Sequence, residues 1–351
     1  MDIKLLYLYL TWNCNLNCKH CWATAGTKSL DHIISDDMYK SIINNACDLG
    51  VDFIKISGGE PFLCLESLKT VVETSSNRGC DILIETNGTL LSEDIVLFLK
   101  KYNCTISISL DGNEEQHNDM RNNSTAFQRT LDGINLLLKN GLTPQIVYSF
   151  SVFNDDYMEE MIKFLNSLNI KELKLNPIIR LGRGTNFNID SLHQEVMTVN
   201  ALELLRIKNK YCRKSWNGLN IRIMLPTCFD GYSMLFNKNY SFISCPYEHL
   251  ISVLPNGDVC LCGEAKDIKD FNYGNILESS LTEILNGSET LKNVKESIMY
   301  FEGICDSCVA KQICRGACRV VAYKNGLSLY ASNPLCEELY KLGKFPFTYK
   351  K

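Results

Sequence analysis

No stretch of this 351-residue chain is apolar for long enough to cross a membrane as a helix. The N-terminal apolar run Leu5–Leu10 is too short for a signal-peptide core, and it leads straight into a cysteine motif. Positive charge is not in excess: 36 Lys and Arg stand against 40 Asp and Glu, a net charge of -4. That leaves no basic footprint for nucleic acid. Internal repeats, low-complexity tracts and long linkers are also missing. What remains is a cytoplasmic globular protein with neither membrane nor nucleic acid as its main partner. Its length allows one large domain and a smaller one.

Cysteine, by contrast, is abundant, at 17 residues. In a reducing compartment such a number points to metal ligation and not to disulfides. Ten fall into two spacing patterns, one at each end of the chain. The others are Cys47, Cys64, Cys80, Cys104, Cys212, Cys228 and Cys260. A lone cysteine reads as a small buried hydrophobe, and Cys228 alone of these is reserved for another role below.

The first half alternates strand and helix patterns. Short Ile-, Leu-, Val- and aromatic-rich strands are expected at Lys4–Thr11, Asp52–Ser57, Asp81–Thr86, Cys104–Leu110, Gln145–Val152 and Lys171–Pro177. Helices are expected at Ser35–Leu49, Leu65–Arg78, Ser92–Lys101, Thr125–Lys139 and Asp155–Leu168. Six β/α repeats predict an α/β fold with a parallel sheet, a partial (β/α)6 TIM-type barrel short of the eight repeats of a closed one. Ligands then belong in the loops at the C-terminal ends of the strands. The distinctive motifs all stand there: the cysteine loop after strand one, Ser57-Gly58-Gly59-Glu60-Pro61 after strand two, Glu85-Thr86-Asn87-Gly88 after strand three, and Ser109-Leu110-Asp111-Gly112 after strand four. The pattern breaks after Leu181-Gly182-Arg183-Gly184, and residues 185–230 read as a helical connection. Asn256-Gly257 between apolar runs predicts a hairpin, and a helix is expected over Glu278–Leu285.

Cys14, Cys18 and Cys21 form C-x3-C-x2-C. Three thiolates so close can hold three irons of a [4Fe–4S] cube and leave the fourth iron open. The competing reading is zinc, which takes four ligands, commonly from two C-x2-C units. Together with Gly58-Gly59-Glu60-Pro61, the cysteine trio resembles the radical S-adenosylmethionine (SAM) enzymes. The resemblance implies that SAM binds the open iron and is cleaved reductively to a 5′-deoxyadenosyl radical. It implies SAM contacts at Ser57, Gly58, Gly59, Glu60 (accepting from the ammonium group), Pro61 (stiffening the turn), Asn87 and Ser109. Arg121 would pair with the SAM carboxylate or stand as a surface arginine. His20 and Trp22 would pack beside SAM.

At the other end, Cys245-x11-Gly257-x4-Cys262 precedes Cys305-x2-Cys308-x5-Cys314-x3-Cys318 and then Cys336. Zinc knuckles compete here too. The series resembles the SPASM extension of radical SAM enzymes, which implies two auxiliary [4Fe–4S] clusters. Cys305, Cys308, Cys314 and Cys336 would bind the distal one, and Cys245, Cys262 and Cys318 the proximal one. Cys228 is the favoured fourth proximal ligand; Cys260 or an open iron are the alternatives. The domains expected are a radical SAM barrel over 1–184, a bridge over 185–230 and the SPASM region over 231–345.

The resemblance makes the chain an enzyme whose leading substrate is a ribosomally made peptide or a protein. It would install a cross-link, an oxidation or an epimerisation. The alternatives are a haem-precursor or other small-molecule oxidase and a sulfatase-type maturase. Sulfatase maturases carry Asp after the cysteine matching Cys262, where this chain has Gly263 and then Glu264. A leader-binding domain ahead of the first strand is not seen, so the expectation is either a separate leader-peptide-binding protein that presents the peptide or direct binding by the barrel and bridge. A flavodoxin or ferredoxin is the expected electron donor. Acid–base groups are not identified; Glu264, Asp111 and Tyr247 are candidates by position alone.

Overall fold

The structure, a computed structural model, describes residues 3–26, 34–151, 157–187, 196–213, 215–237 and 245–346. Two of the expected termini, Val152 and Asp155, lie outside them. Seven strands follow in chain order, each parallel to the last: β1 (Leu5–Tyr9), β2 (Phe53–Ser57), β3 (Asp81–Thr86), β4 (Thr105–Ser109), β5 (Gln145–Phe150), β6 (Glu172–Pro177) and β7 (Asn220–Ile223). Between them lie α1 (Asp36–Asp48), α2 (Leu65–Asn77), α3 (Glu93–Lys101), α4 (Glu114–Arg121), α5 (Ala126–Lys139), α6 (Met158–Ser167) and α7 (Ala201–Tyr211). The six expected strands are all present as a partial barrel. Among the described residues, no helix is long and apolar enough to cross a membrane.

Local chemistry accounts for the helix starts. Ser35 accepts from the Met38 N–H, Ser92 from Ile95 and Asn113 from Gln116, each satisfying a donor that the first turn leaves free. Two elements were not foreseen. Helix α4 is nearly all polar, and its short charged sequence shows no apolar stripe. Strand β7 lies inside the segment expected to be helical; four residues with Arg222 in the middle are too few to carry a period.

The sheet does not stop at the barrel. β8 (Leu250–Val253) pairs in parallel with the free side of β1, and β9 (Asp258–Cys260) and β10 (Asn272–Asn275) add antiparallel strands beyond it. The order is β10-β9-β8-β1-β2-β3-β4-β5-β6-β7. The Asn256-Gly257 turn is present, with Gly257 at φ +86° as such a hairpin requires. The cysteine-rich region is thus tied to the barrel by backbone hydrogen bonds from its first strand.

The alternation along the strands decides what the barrel can hold. Leu6, Leu8, Ile54, Ile56, Ile82, Ile84, Ile106, Ile108, Leu173 and Leu175 point outward into one continuous apolar core under the helices. Burying each contributes about 1.5–3 kcal/mol. Their neighbours in sequence point the other way. These are Tyr7, Tyr9, Lys55, Ser57, Glu85, Ser107, Ser109, Val147, Ser149, Lys174 and Asn176. A closed (β/α)8 barrel fills that space with branched apolar side chains; here the concave face is polar and leaves a chamber.

Ile84→Ala should therefore lower stability by about 2–5 kcal/mol, the usual cost of emptying a core site. Ser109→Ala, on the chamber side, should cost less than about 1 kcal/mol. Denaturant titration of both variants measures the difference; equal losses would contradict the two-faced reading of the strands.

Candidate cofactor and cluster site

Cys14 and Cys18 are buried and Cys21 is half-buried, on a loop that leaves the end of β1. Backbone bonds close this loop on itself: the Cys14 N–H donates to Gly26 O at 3.0 Å, and the Cys21 N–H to Cys18 O at 3.3 Å. Its neighbours fix it from three sides. Asn87 Nδ2 donates to Asn15 Oδ1 at 2.9 Å and approaches Cys14 Sγ at 3.9 Å. Arg121 Nη1 approaches Cys18 Sγ at 3.7 Å. Arg183 donates from Nε to Cys18 O at 2.7 Å and from Nη1 to Ala25 O at 2.9 Å. Arg183 was missed as a site residue. Its signal was available, since Gly182-Arg183-Gly184 follows the last strand of the expected barrel as the other motifs follow theirs.

The paired glycines work against this same loop. At Gly58, whose φ is +138°, a Cβ would stand 2.4 Å from Thr11 O. At Gly59 it would stand 2.1 Å from Asn13 O. The approach allows the Gly59 N–H to donate to Thr11 O at 2.6 Å and the Glu60 N–H to Asn13 O at 2.8 Å. Both glycines also line a cavity of about 180 Å³ together with Cys14, Cys18, Cys21, Ser57, Asn87, Ser109 and Arg121. His20, Trp22, Ser107, Ser149, Asn176 and Arg183 complete much of its wall. Most of the expected SAM contacts are therefore brought together at the strand ends.

Two expectations are corrected. Glu60 is fully buried and is not part of the cavity wall. Its carboxylate accepts from the Phe62 N–H at 3.2 Å, Thr86 Oγ1 at 2.8 Å and the Asn87 N–H at 2.9 Å. It clamps the end of β3 to the turn after β2, where Pro61 starts a short 3-10 helix. Arg121 is not at the surface. It pairs with buried Asp111 at 2.6 Å, and Asp111 also accepts from the Ser149 N–H at 2.8 Å. Asp111 is thereby an anchor for Arg121 and not a free acid–base group; Arg121, opposite, holds its carboxyl below the usual range against the effect of burial. Burial keeps His20 neutral by lowering its pKa to about 4.

The cysteine-rich region closes one side of the chamber. Tyr9, Trp12 and Trp22 pack together with ring centroids 5.4–5.9 Å apart. The Gly263 N–H donates to the Tyr9 hydroxyl at 3.1 Å, and a Cβ at Gly263 would strike Trp22 and Tyr9 at 2.4 and 2.5 Å. Lys266 Nζ donates to Ala23 O at 3.2 Å. Inside the chamber Lys55 pairs with Glu85 at 2.9 Å, and Ser57 Oγ donates to Glu85 at 3.1 Å. Burial would lower Lys55, but Glu85, Tyr7 and Glu264 together hold it above its ordinary pKa. Glu264 also acts on Tyr9, Lys174, Cys245, Cys262 and Cys318. Tyr247 is buried, and its hydroxyl has no hydrogen-bond partner among the described residues.

The C-terminal cysteines divide into two sets. Cys305, Cys308, Cys314 and Cys336 line one cavity. Cys245, Cys262 and Cys318 influence one another electrostatically beside Glu264. Cys228 does not join the second set as expected. It lines the first cavity, with its Sγ 3.5 Å from Cys336 Sγ. The turn after β7 carries it there, a placement that cysteine spacing cannot reveal. Cys260 lies against Tyr9 and Leu254, and its thiol donates to Cys262 O at 3.3 Å. Among the described residues no three His, Cys, Asp or Glu side chains converge on a point as a single zinc ion would need. Clustered thiols around a space suit a four-iron cube.

A partial barrel whose cysteine loop lies against a Gly-Gly turn beside a polar cavity is the arrangement of the radical SAM class. The description "Radical SAM superfamily" matches residues 8–167, and the SPASM description, "Iron-sulfur cluster-binding domain", matches residues 245–309. The chain is a radical SAM enzyme with a SPASM domain; these domains imply [4Fe–4S] clusters and SAM. It is similar to the AdoMet-dependent heme synthase of Methanosarcina barkeri, 26% identical over 365 residues that cover 97% of each chain. It is 28% identical over 178 residues to the antilisterial bacteriocin subtilosin biosynthesis protein AlbA of Bacillus subtilis, covering 50% of this chain and 39% of that one. Its fold matches Streptococcus suis SuiB bound to precursor peptide SuiA with a TM-score of 0.73 at 19% identity, covering 95% of this chain and 75% of that one.

The clamp at Glu60 has a pH signature. Burial, opposed by the Asn87, Thr86 and Phe62 donors, raises its pKa from 4.5 to about 7. The folded protein thus holds a proton that the unfolded chain releases, so stability falls as pH rises from 4.5 to about 7. Glu60→Gln should lose that slope when denaturation is compared at about pH 5 and about pH 7. An unchanged slope would show that Glu60 is not the group responsible.

Proposed function

We propose that this enzyme modifies a peptide or protein by radical hydrogen abstraction in the polar chamber, leaving a cross-link, an oxidation or an epimerised centre. The observation that carries this reading is charge balance. On the concave face Lys55, Lys174 and Arg222 are answered by Glu85, Glu264 and Glu172. The cavity wall adds the hydrogen-bonding Ser107, Ser109, Ser149 and Asn176, together with Arg121, which is paired with Asp111, and Arg183, which donates to the carbonyls of Cys18 and Ala25. A haem precursor bearing several carboxylates calls for cations in surplus, because a buried charge needs a partner. A peptide backbone calls for neutral donors and acceptors. The likeness to AlbA and to peptide-bound SuiB supports the same reading.

When bound, SAM and its cluster supply the radical that takes hydrogen from an unactivated carbon. Cys14, Cys18 and Cys21 would hold that cluster. The Tyr9–Trp12–Trp22 wall keeps water from its flank, and the Lys55–Glu85 pair gives the chamber floor a fixed polarity. Burial holds the Tyr7 hydroxyl protonated, with its pKa raised to about 12. Two auxiliary clusters in the SPASM cysteines would carry electrons away from the substrate. A flavodoxin- or ferredoxin-type donor and a separate leader-binding protein complete the working system.

One observation favours a second reading. The similarity to a heme synthase runs the length of the chain, whereas that to AlbA covers half of it. A haem-precursor oxidase is therefore the alternative. The sulfatase-type reading is weaker, because Gly263 stands where those enzymes carry a catalytic Asp.

Anaerobic co-expression with the short open reading frames beside the gene, followed by peptide mass spectrometry, separates the two. Loss of two hydrogens, or uptake of solvent deuterium, is expected in one peptide and should vanish in Cys14→Ala together with deoxyadenosine formation. Unmodified peptides alongside turnover of a haem precursor would establish the alternative.

A further inference from the structure

The distal cavity holds one thiol more than a four-iron cluster uses. Cys228, Cys305, Cys308, Cys314 and Cys336 all line it. Cys228 is not a bystander in a loose loop. It sits in the 3-10 turn Thr227–Asp230, directly after Pro226. Asp230 forms a buried ion pair with Lys208 of α7, and Phe229 is wholly buried in the main core. The Thr227 N–H donates to Cys314 Sγ at 3.4 Å, so the turn is already engaged with an expected ligand. The sulfur atoms of Cys228 and Cys336 stand 3.5 Å apart, close enough for either to reach the same iron position.

We propose that Cys228 is a ligand of the distal cluster, interchangeable with Cys336 at a single iron, and that the proximal cluster has only Cys245, Cys262 and Cys318 among these thiols. Exchange is a proton-coupled substitution without redox change. The Fe–S bond to Cys336 breaks, that sulfur takes the proton from the Cys228 thiol, and the Cys228 thiolate closes on the same iron. The wider consequence is that Cys228 is not available to the proximal cluster, whose fourth ligand then comes from elsewhere in the chain or from outside it. This inference rests on the reading of two auxiliary clusters.

The test is iron content and the electron paramagnetic resonance spectrum of the full chain after anaerobic reconstitution. Wild type should hold about twelve irons, from three four-iron clusters. Cys228→Ala and Cys336→Ala should each keep about twelve, and only the double variant, left with three distal thiolates, should give a distal signal that shifts when a small thiol is added. Cys336→Ala should shift the distal signal, because its iron then has a new thiolate, while Cys228→Ala should leave it as in wild type. Cys228→Ser and Cys336→Ser repeat the comparison, with elution as a single folded species required of each. A loss of about four irons in Cys336→Ala, or a Cys336→Ala signal identical to wild type, would overturn the exchange. About eight irons in wild type would instead overturn the two-cluster reading, and the proposal with it.

Discussion

The closest main-chain approach at the site, between the end of β2 and the start of the cysteine loop, is the contact on which the rest of it depends. The Gly59 and Glu60 amides donate to the carbonyls of Thr11 and Asn13, at a separation that a side chain on either glycine would forbid. This join sets where Cys14 stands relative to the cavity. Glu60 then passes the constraint on to β3 through Thr86 and Asn87, and Asn87 returns it to the cysteine loop through Asn15. The circuit runs through three strand ends and uses backbone or buried groups at each step. Such a circuit holds a metal-binding loop in shape before any metal arrives, which lowers the ordering cost of loading it.

The chamber is the second consequence of strand alternation. One side of each strand buries Ile and Leu, and that burial drives the fold. The other side is then free to carry charge, provided the charges are answered. Lys55 and Glu85 answer each other directly. Removing either partner would leave a buried charge exposed to a medium that solvates it poorly. The interior is therefore fixed in composition as firmly as the core, although it contributes little to stability.

Much of this was legible in the sequence. The six barrel strands announced themselves by apolar content, and the strand-end motifs marked the site because parallel barrels place loops there. Three things were not legible. Strand β7 is too short and too charged to show a period. Glu60 sits in a motif that advertises ligand contact, and only the positions of Thr86 and Asn87 show that its oxygens are already in use. Cys228 stands in the chain between the barrel and the cysteine-rich region, and spacing along the sequence cannot say to which set of thiols a turn will carry it. The polar concave face was present as simple alternation, but a strand rich in Ile draws attention to the buried side.

The placement of Cys228 bears on how the open barrel is completed. Among the described residues the sheet has two edges, β7 and β10, so the barrel does not close through strand pairing. The cysteine-rich region meets the barrel at both its first and its last strand. Through β8 it pairs with β1, and through Cys336 and Cys314 it meets the turn that follows β7. Helix α7 is drawn in as well, because the Ala201 N–H at its start donates to Glu338 on the last helix at 2.9 Å. A cluster in the distal cavity would therefore tie the last strand of the barrel to the region that already pairs with its first. Metal binding adds its free energy to whichever conformation presents the ligands. Here that conformation is the one with the β7 turn held against the C-terminal helices, so a cluster in the distal cavity would stabilise that contact at a distance from the SAM-binding loop.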